Sequence, residues 1–97
     1  MSSCNDKPSV DSEHFENILL DIQLAEAVVQ SYPVDSHDIY RDAFMEDILR
    51  HHEVTWEEYN TAYDYYSQDH KAFQKIQERL KKKVYDAEKI EDLNLAY

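Results

Sequence analysis

The chain has 97 residues, of which 42% are hydrophobic and 32% are charged, with two prolines and no glycine. This length suits one domain with one core, and a chain without glycine is poorly suited to the tight turns of β-hairpins. The net charge is −11, with three basic and sixteen acidic side chains in residues 1–70 and seven basic and five acidic ones in residues 71–97. Because a phosphate-binding protein needs a basic face, we expect no nucleic-acid partner.

Residues 1–10 are polar, include Pro8 and show no hydrophobic period, so they are predicted to be a flexible tether ahead of a single helical domain at 11–97. Cys4 is the only cysteine, which excludes an internal disulfide. Ser2-Ser3-Cys4 followed by polar residues is similar to the end of a bacterial lipoprotein signal, where the cysteine receives lipid. The alternative is a native cytosolic start with an incidental cysteine.

The first helix is predicted to begin at Asp11 or Ser12 and to stop near Ser31, because Pro33 disfavours helical geometry at the residue before it. Its apolar residues recur at three- and four-residue steps: Phe15, Ile18, Leu19, Ile22, Ala25 and Val29. Glu26 lies beside this stripe. A partly buried carboxylate needs donors, so we expect Glu26 to pair with Arg41 or Tyr40, or to contact a partner.

The second helix is predicted to start after Asp35 or Ser36 and to run to about His52. Its apolar positions are Ile39, Tyr40, Ala43, Phe44, Ile48 and Leu49. The third helix has a clear start signal, since Thr55 and Glu58 form a capping box and Val54 can pack on Tyr59. This helix is expected to end by Gln68.

The fourth helix is predicted to open at Asp69 and to continue for about 28 residues, which corresponds to ~42 Å and would overhang its neighbours. One face is apolar, with Phe73, Ile76, Leu80, Val84 and Ala87. Tyr85, Ile90 and Leu93 fall on the expected overhang and would be exposed unless a partner covers them. The expected fold is therefore all-α, a small bundle of about four helices with a long C-terminal helix.

Several motifs together resemble the family called domain of unknown function 4296. They are the segment 20–27 (Leu-Asp-Ile-Gln-Leu-Ala-Glu-Ala), the segment 54–58 (Val-Thr-Trp-Glu-Glu) and the segment 65–67 (Tyr-Tyr-Ser), within a match over about residues 14–82. The resemblance implies a small envelope lipoprotein of Bacteroidota, with lipid on Cys4, a periplasm-facing domain, and the hydrophobic part of the signal standing ahead of this sequence. It brings no catalytic residues.

This sequence departs from the family pattern at two places. Glu53 stands where the family usually has glycine, so a residue with a side chain is expected to leave the second helix, in a left-handed conformation. Asp69-His70 stands where the family favours Asn-Pro, and aspartate can also cap a helix.

Possible catalytic or metal-binding groups are few. His51, His52 and Glu53 could suggest a metal site, but adjacent side chains on a helix point about 100° apart, so a solvated helix end is the favoured interpretation. His14 and His37 each stand alone. We therefore expect no enzyme activity, no cofactor and no metal.

Aromatic residues crowd the third helix, where Tyr59, Tyr63 and Tyr66 share one side and Trp56 begins the first turn. They suit either a core or a protein interface. We interpret the chain as an interaction module of the cell envelope, with another protein or a second copy as its partner, and membrane contact only through lipid on Cys4. The candidate partner-binding residues are Glu26, Trp56, Tyr59, Tyr63, Tyr66, Tyr85, Ile90 and Leu93. The alternatives are a chaperone-like peptide clamp, and a metal protein or enzyme that uses His51, His52 and Glu53.

Overall fold

The computed structural model describes residues 7–95, with side chains described for residues 7–87. It contains α1 (Ser12–Val29), a 3-10 turn (Val34–Ser36), α2 (His37–His51), α3 (Trp56–Ser67) and α4 (His70–Leu95), and no strand lies in this part of the chain. The all-α prediction is confirmed, and so is the long C-terminal helix, which has 26 residues.

Helix α1 begins where the sequence indicated, because the side chain of Asp11 accepts a hydrogen bond from the backbone N–H of His14 at 2.8 Å. It ends at Val29, slightly before the predicted limit. Its apolar stripe faces the core, and four of its residues are buried: Phe15, Ile18, Leu19 and Val29.

Helix α2 packs less completely than its sequence suggested. Ile39 is 71% exposed and Ala43 is exposed, whereas Leu49 is buried. Met45 and Ile48 also pack against the core, so only the C-terminal half of α2 contributes to it. Helix α2 begins after Ser36, as predicted, but the Ser36 hydroxyl donates to the Pro33 carbonyl and does not accept from the helix.

The end of α2 is a Schellman motif. Glu53 has a φ of 58°, in the left-handed region expected from its replacement of glycine. The Val54 N–H donates to the Leu49 carbonyl at 2.9 Å, and the Glu53 N–H donates to the Arg50 carbonyl at 3.0 Å. Leu49 and Val54 are both buried, which supplies the apolar contact that usually accompanies this motif.

Helices α3 and α4 begin at the predicted caps. The Glu58 N–H donates to the Thr55 hydroxyl at 3.0 Å, and the Thr55 N–H donates to the Glu58 carboxylate at 2.9 Å, which completes the capping box. The carboxylate of Asp69 accepts from the Ala72 N–H at 3.1 Å. Both helices therefore begin at the capping residues that the sequence predicted.

The segment before α1 is attached to α3. Val10 is 3% exposed and belongs to the core, and its carbonyl accepts a hydrogen bond from the Tyr66 hydroxyl at 2.9 Å. The Ser9 hydroxyl donates to Glu58 at 3.0 Å. The structure thus places the last two residues of the predicted tether on the helical domain.

The basic part of α4 lies against α1. The carboxylate of Glu16 accepts hydrogen bonds from Arg79 at 2.7 Å and from Lys83 at 3.2 Å, although its own side chain is only 12% exposed. The hydrogen bond from Arg79 is the main reason that the pKa of Glu16 lies below its ordinary value. Part of the positive charge of α4 is therefore neutralised within the chain.

Candidate functional site

An apolar groove of about 220 Å³ lies between α1 and α2, and Trp56 at the start of α3 forms part of its wall. Six apolar residues line it: Ile22, Ala25, Val29, Phe44, Met45 and Ile48. We call this feature the Trp56 groove. The indole of Trp56 is 49% exposed, and it also lines an adjoining depression with Leu49 and Val54. A large aromatic side chain thus stands half in solvent beside an open apolar surface.

Glu26 lies at the rim of the Trp56 groove and pairs with Arg41, one of the two partners predicted for it. The contact is bidentate, with Nη2 to Oε2 at 2.7 Å and Nε to Oε1 at 2.9 Å. Gln30 donates to the same carboxylate at 2.6 Å. The hydrogen bonds from Arg41 and then Gln30 lower the pKa of Glu26 to about 2, so this group stays ionised near neutral pH.

A row of three carboxylates follows one side of α2, and one of the three lines the Trp56 groove. Asp38, Asp42 and Glu46 are spaced four residues apart, so they lie on one side of the helix. Asp42 lines the groove, and Glu46 lines the adjoining depression. Within residues 7–87, no cation lies within ion-pair distance of Asp42 or Glu46. We call these three residues the acidic row.

The three tyrosines of α3 surround the buried ring of Phe15. The ring centroids of Tyr59, Tyr63 and Tyr66 lie 6.2, 6.1 and 5.1 Å from it. Burial raises the pKa of Tyr59, and the Tyr66 hydroxyl is used by Val10. These contacts fit the packing alternative. Among the predicted aromatic candidates of α3, Trp56 lines the apolar groove, whereas Tyr66 borders a separate depression with Lys75 and Arg79, and Tyr63 is 40% exposed.

Tyr85 is the other exposed candidate. It is 63% exposed and borders a depression of about 560 Å³ beside α1 and α4, whose lining includes Gln23, Gln74 and Lys81. The side chains of Ile90 and Leu93 and the lipidation candidate Cys4 lie outside the described residues. The structure therefore describes the surroundings of Tyr85 but not those of Ile90, Leu93 and Cys4.

Sequence reasoning missed a hydrogen-bonded row of three side chains that joins α1 to the end of α2. His52 Nε2 lies 2.7 Å from a carboxylate oxygen of Asp21, and His52 Nδ1 lies 3.2 Å from Nε2 of His14. Because a carboxylate only accepts, the Nε2–H of His52 donates to Asp21.

The predictions of a solvated end for His52 and of a solitary His14 are therefore wrong. His52 is largely buried, with 13% of its side chain exposed, because the helix ends where α1 crosses it. His51, by contrast, is exposed, as predicted. Nothing in the spacing of the sequence links residues 14, 21 and 52, since their contact depends on how the two helices pack.

Residues 7–87 contain no group of three or more histidine, cysteine, aspartate or glutamate side chains placed to hold a metal ion. None of the described helices is both long enough and apolar enough to cross a membrane.

The family model described as Domain of unknown function (DUF4296) matches residues 7–90. The match includes the Trp56 groove, the acidic row and the start of α4. No curated protein and no solved structure matches the chain.

Proposed function

The chain belongs to the family Domain of unknown function (DUF4296), and from that premise we propose that it is a non-enzymatic protein-interaction module, anchored in a bacterial envelope by lipid on Cys4 and facing the periplasm. The Trp56 groove is the surface that binds the partner. The lipid anchor rests on the Ser2-Ser3-Cys4 string and on the resemblance to envelope lipoproteins.

The observation that carries the proposal is the exposure of Trp56 beside an apolar groove. Tryptophan is among the residues that contribute most to binding at protein interfaces, because its large ring loses much water-exposed area when it is covered. Here the ring keeps 49% of its surface in solvent while its neighbours Met45 and Ile48 present apolar area next to it. Covering this surface would remove apolar area from water.

The chemistry of the groove also fits binding better than catalysis. Glu26 is held ionised by Arg41 and Gln30, with a pKa of about 2, so it cannot deliver a proton near neutral pH. Its role at the rim is to fix Arg41 and to join α1 to α2. The remaining lining is mostly apolar, which suits contact with side chains of another protein.

Site-specific photo-crosslinking in cells tests this proposal. The full precursor would be expressed in a Bacteroidota host with a photoreactive phenylalanine at Trp56 or, as the matched control, at Asp64, an exposed residue on the same helix. We expect one discrete adduct from position 56, identified by mass spectrometry, and none from position 64. No adduct from position 56, or equal adducts from both positions, would contradict the proposal.

The anchor needs its own measurement. Metabolic labelling with an alkyne fatty acid should mark the wild-type protein in the membrane fraction. The variant Cys4→Ala should lose both the label and the membrane association. Labelling that survives this substitution would refute lipid attachment at Cys4.

A further inference from the structure

We propose that the occupant of the Trp56 groove is a basic amphipathic helix of a partner protein, whose apolar side chains fill the groove and whose lysines or arginines face the acidic row. This inference rests on the proposed function and names the chemistry of the partner.

The dimensions of the groove favour side chains over a small ligand. Pockets for small molecules usually measure about 300–1,000 Å³, and this one measures about 220 Å³. It is open to solvent along the line where two helices meet, with Ile22 and Ala25 on one wall and Phe44 and Ile48 on the other. An amphipathic helix laid into such a groove presents apolar residues at every third or fourth position.

The charge at the edge of the groove sets the polarity of the occupant. From Asp38 to Glu46 the acidic row covers two helical turns, or ~12 Å. Asp42 and Glu46 form no ion pair within residues 7–87, whereas Asp38 lies 3.7 Å from Arg41 and Glu26 on the opposite wall is already neutralised by Arg41. A partner with cations along one side would gain attraction, and an acidic partner would be repelled.

A second copy of this chain fits less well. Over residues 71–81 of α4 the basic side chains include Lys71, Lys75 and Lys81, but Ile76 and Leu80 of this stretch are already buried in the core. This stretch of a second copy would therefore bring charge without the row of apolar side chains that the groove needs. With a net charge of −11, two copies would also repel one another overall.

The test uses a property of the sequence, because Trp56 is the only tryptophan and reports directly on the groove. The probe is a tryptophan-free 18-residue helical peptide with leucine on one face and lysine on the other. The peptide control has glutamate in place of lysine. We expect the lysine peptide to change Trp56 fluorescence saturably at low salt, and the glutamate peptide to leave it unchanged.

Matched double variants separate local from overall charge. Asp42→Asn with Glu46→Gln removes two carboxylates from the groove edge, and Asp64→Asn with Glu78→Gln removes two exposed carboxylates elsewhere. We expect the first variant to bind the lysine peptide about fivefold more weakly, and the second to bind it nearly as well as the wild type. Circular dichroism would check that both remain helical.

Three results would overturn the inference. The first is equal weakening by both variants, which would mean unspecific attraction. The second is equal binding of the glutamate peptide. The third is a concentration-dependent shift of Trp56 fluorescence together with dimers in sedimentation, which would make a second copy the occupant. If crosslinking from position 56 identifies a partner whose binding does not depend on Asp42 and Glu46, the proposed function stands and this inference fails.

Discussion

Replacing Glu53 with glycine should stabilise the protein, because this residue occupies the left-handed position that ends α2. Its φ is 58°, and the two hydrogen bonds of the Schellman motif hold it there. In that conformation Cβ approaches the following carbonyl oxygen, which costs a residue with a side chain roughly 1–2 kcal/mol. Glycine has no Cβ and escapes this cost.

The net gain is smaller than the relief of strain, since glycine also raises the conformational entropy of the unfolded chain. That effect opposes folding by about 0.4–1 kcal/mol. Glu53 is exposed, so the substitution removes little packing. We therefore expect Glu53→Gly to increase the free energy of unfolding by about 0.5–1 kcal/mol, and the melting temperature by roughly 4 °C for a domain of this size.

Urea unfolding followed by Trp56 fluorescence and by circular dichroism at 222 nm measures this change. Two control variants test the reasoning. Glu53→Ala keeps a Cβ in the left-handed position and should gain little. Lys75→Gly places glycine at an exposed position inside α4 and should lose about 0.7–1 kcal/mol. If Glu53→Gly destabilises the protein, or if Glu53→Ala gains as much, the strain argument is wrong.

Three further predictions concern ion pairs and the core. Glu26→Gln should lower the free energy of unfolding at pH 7 by at most about 1 kcal/mol, because the Glu26 and Arg41 side chains are each about two-fifths exposed. The pKa of Glu26 is lowered from 4.5 to about 2, so the wild type should lose this contribution to stability as the pH falls through that interval. The Glu26→Gln variant should show no such loss. Urea titrations of both proteins at pH 7 and pH 2.5 check this difference. Glu16→Gln should cost about 1 kcal/mol in the same assay, because it leaves Arg79 without its carboxylate, and 0.5 M NaCl should shrink the difference between variant and wild type. Phe15→Ala should cost about 3–5 kcal/mol, since its ring is fully buried, and a cooperative transition unchanged from the wild type would contradict the assigned core.

Local signals made the helix boundaries predictable. A capping box depends on residues three apart, so Thr55 and Glu58 indicated the start of α3 without any knowledge of packing. The left-handed residue that ends α2 was predicted from the family resemblance instead, because Glu53 stands where the family usually has glycine. These predictions concern bonds formed within a few residues of sequence.

Predictions that depended on packing between helices were less accurate than those of the helix boundaries. Ile39 belonged to an apolar pattern on α2, yet it is exposed because the start of that helix does not reach the core. Periodicity shows that a helix has an apolar side, but not how much of that side another helix covers.

Only part of the candidate site could be predicted from the sequence. The Glu26 and Arg41 pair was one of two predicted alternatives, since a carboxylate near an apolar stripe needs a donor. The row of Asp21, His52 and His14 was not found, because its members are 7 to 38 residues apart and meet only through the packing of α1 against the end of α2. The groove beside Trp56 likewise arises from the gap between two helices.

The attachment of Val10 to α3 sets how far the domain can stand from a bilayer. The Tyr66 hydroxyl holds the Val10 carbonyl, and this fixed point is six residue steps along the chain from Cys4. Even fully stretched, six residues span only about 20 Å. A lipid-anchored form would therefore remain close to the headgroups, and it could recruit only partners whose docking segment comes within that height of the membrane.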